Sequence, residues 1–186
     1  MQAIPHEIFK AYDIRGIVGK TITAENVEKI GHAIGSEARA RNLTAIAIGR
    51  DGRLSGTELS QALARGIRKS GIDVVDVGMV ATPMLYFAAH ELCQYSGVMV
   101  TGSHNPPEYN GFKIVLGGQT LAADTIQALR LRIENNNLTH GAGNYSEHAI
   151  ADAYRTRITG DVKLARPLKI VVDCGNGVAG AYAPAL

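Results

Sequence analysis

SGVMVTGSHNPPEYNGFKIVL, residues 96–116, is an apolar run, a polar loop and a second apolar run. The two runs read as buried strands over 96–102 and 111–116. The short loop between them returns the chain as a hairpin, so these two strands run antiparallel. Every other strand is separated from the next by a helix. The hairpin therefore decides the fold: a sheet that is otherwise parallel becomes mixed.

Upstream, TITAENVEKIGHAIGSEARARN predicts a helix with Thr23 as N-cap and Val27, Ile30 and Ile34 on one face. TAIAIG (44–49) is a short buried strand. GRDGRLSG follows, and Ser55 with Glu58 has the spacing of a capping box that opens a second helix. Leu59, Ala62, Leu63 and Ile67 stripe that helix, and Gly71 marks its stop. IDVVDVG (72–78) is the next strand, and Thr82 is read as the N-cap and Pro83 as the first residue of a third helix. ADTIQALRLRIEN (123–135) is amphipathic through Ile126, Leu129 and Ile133. The pattern predicts a three-layer α/β/α sandwich with a mixed sheet.

From NNNLTHGAGNYSEH (135–148) the composition turns polar and glycine-bearing, which predicts a domain boundary. Residues 1–145 are read as one domain. Residues 146–186 are read as a linker, with a helical piece IADAYRTRI, and the truncated start of a second, similar domain. LKIVVDCGNGVAG (168–180) echoes TAIAIGRDGRLSG: an apolar strand, a turn with Asp and Gly, then a helix start. The alternative is that 168–173 completes the first sheet.

Within the opening loop, Ser103 stands beside His104, with Asn105, Asn110 and Lys113 following. A serine hydroxyl needs activation to act as a nucleophile. Neighbours on an extended loop point apart, and the G-x-S-x-G elbow is absent, so a hydrolytic Ser103–His104 pair is not expected. The hairpin return brings Lys113 toward Ser103, while Pro106 and Pro107 stiffen the connection. An exposed serine among a cation, an imidazole and an amide suits a phosphoryl group, with its charge of about −1.5 to −2. A surface loop whose Ser and Asn cap turns and whose Lys is solvated is the competing reading.

TGSHNPPEYNGFK resembles the phosphoserine loop of the α-D-phosphohexomutases, T-[AG]-S-H-N-P followed by N-G-x-K. FKAYDIRG (9–16), GRDGRLSG (49–56) and VVDCGNGVAG (171–180) are similar to further blocks of that family in the same order. The start FKAYDIRG is closest to the bacterial phosphomannomutase/phosphoglucomutase type. The resemblance implies four domains around a cleft, and interconversion of hexose 1- and 6-phosphates with Mg2+. It implies that Ser103 carries the transferable phosphoryl group, which also gives the metal one oxygen ligand. Lys113 becomes the general acid/base candidate, assisted by His104, while Tyr12 and Arg15 line the cleft at the substrate. Thr101, Asn105 and Asn110 support the loop. Arg50 and Arg53 are read as structural, tying their turn to the sheet. The family's D-G-D-x-D-R magnesium loop has no match here, and neither do the loops of its domains III and IV. The implied picture is the phosphoserine-bearing part of a mutase, inactive without domains II to IV. The competing class is a non-catalytic sugar-phosphate-binding or regulatory module.

Composition agrees with an ordinary globular chain: 46% hydrophobic, 19% charged, net charge +2. So small a charge argues against nucleic acid and membrane partners. Cys93 and Cys174 form no C-x-x-C pair, and the N-terminus lacks a signal-peptide core, so a reduced cytoplasmic protein is expected. The apolar segment 168–173 leaves an open edge that invites self-association.

Overall fold

The computed structural model describes residues 4–186. Seven strands form one sheet. They are β1 (Ile14–Ile17), β2 (Ala45–Arg50), β3 (Asp73–Met79), β4 (Gly97–Val100), β5 (Tyr109–Leu116), β6 (Gln119–Thr120) and β7 (Tyr145–Glu147). The order is β1-β5-β4-β2-β3-β7, with β6 on the end of β5. β2 is parallel to both β3 and β4, and β7 is parallel to β3. β5 is antiparallel to β4 and to β1, so the hairpin does make the sheet mixed.

Helices cover both faces. α1 (Ala24–Ala40), α2 (Gly56–Lys69) and α4 (Asp124–Glu134) bury Ile30, Ile34, Leu63, Ile67, Ile126 and Leu129 against Ile46, Ile48, Val98, Phe112 and Ile114. On the other face α3 (Thr82–Leu92) sets Met84, Leu85, Ala88 and Ala89 on Ala47, Val77 and Met99. Successive residues of β2 thus feed opposite cores, as the period of two requires. α5 (Ala151–Asp161) leans on the second core through Ala151 and Tyr154 and buries no residue of its own. The three-layer sandwich is the one expected. Among the described residues no helix is long and apolar enough to cross a membrane.

Local signals mostly hold, although the third helix starts one residue earlier than read, with Ala81 in extended backbone at its N-cap and Thr82 already helical. Thr23 caps α1, its hydroxyl accepting from Asn26 N at 3.2 Å. α1 and α2 approach closely at Gly66, where a Cβ would lie 2.1 Å from the Glu28 carbonyl oxygen. The Ser55–Glu58 capping box does not form. Ser55 is already helical (φ −70, ψ −14), and its hydroxyl instead accepts a bond from Asn110 Nδ2 at 2.9 Å. A tertiary partner has displaced the local one.

The strand and helix read at 168–180 need a larger correction. Residues 168–173 form no strand, and Val171 is 93% exposed. They add to neither edge of the sheet, so the reading in which they complete it is overturned as well. A strand needs a neighbouring backbone to hydrogen-bond, and among the described residues none pairs with this segment. The glycine-bearing turn is followed by two 3-10 turns, Val178–Ala181 and Ala183–Ala185, in place of a helix. The first sheet itself reaches past 145: β7 pairs with β3, and Ile150 is buried in the second core.

Candidate active site

The chain leaves β2 toward β3 and leaves β4 toward β5, in opposite directions along the sheet. β2 and β4 are neighbours, with Arg50 opposite Val100. The crevice beyond their carboxyl ends is therefore a topological switch point, the usual ligand position in open α/β sheets. The two loops that meet there are GRDGRLSG and the serine loop.

Asp51 and Arg53 hold the serine loop from the first of these. Asp51 Oδ2 accepts from Thr101 Oγ1 at 2.8 Å and from Gly102 N at 3.2 Å, while its Oδ1 accepts from Arg53 N at 3.0 Å. Arg53 Nη1 donates to the carbonyls of Pro106 (2.6 Å) and Tyr109 (3.0 Å). Its Nη2 donates to those of Ser103 (3.0 Å) and Asn105 (2.6 Å).

Inside the loop, Thr101 Oγ1 also accepts from Ser103 N at 2.9 Å, and Asn105 Nδ2 donates to the Gly102 carbonyl at 2.9 Å. Asn110 is fully buried, bonded to Ser55 by its amide and accepting from Gly111 N at 2.8 Å. Ser103 itself has φ +53, a left-handed conformation that costs a non-glycine residue about 1–2 kcal/mol. The surrounding hydrogen bonds supply what is needed to hold it there. The loop is thus a turn and not extended, and it curls Ser103 Oγ to 3.3 Å from His104 Nδ1. The premise that these neighbours point apart is corrected on that ground. Both side chains remain exposed.

Lys113 lies on the returning strand as expected, but opposite Met99, four residues before Ser103. The cation that reaches the Ser103 backbone is Arg53. Among the described residues the half-buried Lys113 ammonium has no hydrogen-bond or ion-pair partner. Arg15 sits opposite Gly111 on β1 and pairs with the buried carboxylate of Asp13, with Nε 3.1 Å from Oδ2. Because Ile14 and Phe112 fill the first core, Arg15 and Lys113 share the opposite sheet face. Tyr12 is 80% exposed just ahead of β1.

An open cavity of about 390 Å3 has Ser103, Asn105, Pro107 and the 51–53 turn on one wall, and Asn176, Gly177 and Val178 on the other. A cavity of about 500 Å3 lies elsewhere, between α2, β3 and β7, and contains none of the serine-loop residues. We assign the site by its chemistry to the smaller one. Asp51 was not singled out in the sequence, because its partners lie some fifty positions away. The signal for Arg53 was its place in GRDGR, and it does tie its turn to a neighbouring element.

The description "Phosphoglucomutase/phosphomannomutase, alpha/beta/alpha domain I" matches residues 6–140. A Pseudomonas aeruginosa phosphomannomutase/phosphoglucomutase is 57% identical over 183 residues, covering 98% of this chain and 40% of the relative. A Neisseria meningitidis phosphoglucomutase is 55% identical over 185 residues, with 98% and 40% coverage. The crystal structure of a Burkholderia thailandensis phosphoglucomutase/phosphomannomutase family protein superimposes with TM-score 0.93 at 53% identity, over 98% of this chain and 42% of that one. The chain thus spans about 40% of the length of the relatives it matches. With that match running through the serine loop and most of both cores, the chain belongs to the phosphoglucomutase/phosphomannomutase family.

Proposed function

We propose that Ser103 is the phosphoryl carrier of an enzyme that interconverts hexose 1-phosphate and hexose 6-phosphate, with mannose, glucose or both as the sugar. The observation that carries this is the held loop: a serine kept at φ +53 with its hydroxyl exposed and, among the described residues, only His104 in reach. Its backbone is tied down on every side, so the hydroxyl is free for chemistry. The names of the relatives support the hexose class.

In the forward half-reaction the P–O bond to Ser103 Oγ breaks and a bond to a sugar hydroxyl forms, giving a hexose bisphosphate. The sugar proton passes to a base, and Ser103 Oγ regains a proton. The second half returns the other phosphoryl group to Ser103. Such transfers depend on positioning and charge neutralisation. His104 is placed to exchange a proton at Ser103 Oγ, and the unpaired Lys113 is the candidate acid/base on the sugar side. Tyr12 and Arg15 are assigned to substrate, and Thr101, Asn105 and Asn110 to loop support.

Magnesium fits only in part. A phosphoryl group on Ser103 would offer it one oxygen, yet among the described residues no three His, Cys, Asp or Glu side chains converge. Octahedral magnesium needs more than that, so this chain alone does not fit a resident ion, and no step above passes through one.

The test is a chimera in which residues 1–186 replace the matching segment of the Pseudomonas aeruginosa relative. Ser103→Ala is expected to remove most mutase turnover while leaving the melting temperature unchanged. Near-normal turnover by the folded variant rejects the assignment. Lys113→Met is expected to lower kcat far more than it raises KM; a raised KM at unchanged kcat makes Lys113 a binding residue.

A further inference from the structure

We infer that Arg53 is the positioning residue of Ser103, setting the direction of its hydroxyl without touching the substrate. The inference rests on the phosphoryl-carrier reading above. A guanidinium has four Nη hydrogens. Here the two Nη atoms already serve four backbone carbonyls, those of Pro106, Tyr109, Ser103 and Asn105. Nε faces Asp51 Oδ2 at 3.5 Å. No donor is left over for a sugar phosphate, so Arg53 acts through the loop.

Four carbonyl oxygens aimed at one point repel one another unless a cation sits among them. Without Arg53, at least one peptide of the loop would rotate toward solvent. Because Arg53 grips the Ser103 carbonyl itself, that rotation moves the residue held at φ +53. Only a planar fork spans these acceptors; a lysine ammonium has three donors around one atom. Gly102 belongs to the same device. A Cβ there would stand 2.2 Å from Arg53 Cζ and Nε, so any side chain would push the guanidinium off the loop.

Misplacing a reacting atom by about 1 Å can cost roughly 10²-fold in rate. In the chimera, Arg53→Ala is therefore expected to lower kcat by about 10²-fold with KM little changed. Arg53→Lys should recover little of that loss. Millimolar guanidinium should restore part of it to Arg53→Ala, and ammonium should not. Gly102→Ala, with Arg53 present, should reproduce the defect. Full activity of Arg53→Lys, or an unchanged kcat in Arg53→Ala, overturns the inference.

A second readout needs no turnover. In the 186-residue chain, Arg53→Ala should speed hydrogen exchange of the amides at 102–109 and leave those of β2 and β4 unchanged. If the unsubstituted chimera is inactive, the phosphoryl-carrier reading has failed, and exchange alone decides whether Arg53 holds the loop. If the chimera is active and exchange at 102–109 does not change in the variant, the positioning inference fails by itself.

Discussion

TAIAIGRDGRLSG and LKIVVDCGNGVAG share one pattern of residues and end in opposite states. In the first, Ile46 and Ile48 are wholly buried in a strand between β3 and β4, and the turn after it grips the serine loop. In the second, Ile170, Val171 and Val172 are 67%, 93% and 63% exposed and form no strand. Apolar pattern alone therefore does not make a strand. The first segment has a backbone neighbour on each side and a helix on each face; the second has neither.

The sharpest way to break this comparison is to put the same charge into both segments of the 186-residue chain. Ile48→Asp buries a carboxylate without a partner and is expected to cost about 4 kcal/mol or more in urea unfolding. Val171→Asp is expected to stay within about 0.5 kcal/mol. A comparable loss at Val171 would mean that the second segment is packed after all.

Truncation gives the next largest effect. Ending the chain after Asp161 removes no fully buried core residue; it takes away Tyr182, which packs against the second core and donates to the Met79 carbonyl, and should lower the melting temperature only slightly. Ending it at Tyr145 strips Ile150, which is only 2% exposed, and should cost about 1.5–3 kcal/mol. We also propose that the exposed 168–172 segment makes the 186-residue chain self-associate. Light scattering should then show the chain ending at Asp161 to be the cleaner monomer. A monomeric 186-residue chain would remove that proposal.

The smallest effect is read at the two thiols. Burial pushes the Cys93 thiol up to about 11 from an ordinary 9.0, whereas Cys174, in the second segment, is partly exposed. A thiol reagent at pH 8 should modify Cys174 and leave Cys93 untouched until the chain unfolds. Because the folded-state value of Cys93 is the higher one, its contribution to stability is complete below about pH 9 and fades as pH rises toward about 11. Cys93→Ala should flatten that decline; an unchanged slope would assign it to other groups.

Much of the fold was legible because its signals are local. Thr23, the stripe on α2 and the hairpin runs each act within a few residues, and each element formed near its expected place. The additions the sequence did not disclose are β1 and β7, short strands whose pairing comes from distant backbone, and β6, two residues that fold back on β5 across Gly117 and Gly118. The candidate site divides in the same way. Ser103, His104 and Asn105 could be named from one loop and Arg53 as a structural tie, whereas the role of Asp51 and the grip of Arg53 on the Ser103 carbonyl appear only when two turns fifty positions apart meet.

By itself, then, the sequence determined the α/β alternation, the mixed sheet and the serine at the tip of the hairpin. Periodicity, caps and proline stiffness are properties of neighbouring residues. The tertiary structure alone decided that Ser55 serves Asn110 and not its own helix, and that Ser103 takes a left-handed turn beside His104. It alone left 168–173 open while Ile46, Ala47 and Ile48 of the like-patterned 44–49 are buried. Those outcomes depend on which distant groups can satisfy a hydrogen bond or cover an apolar face, and that competition is settled only when the chain has packed.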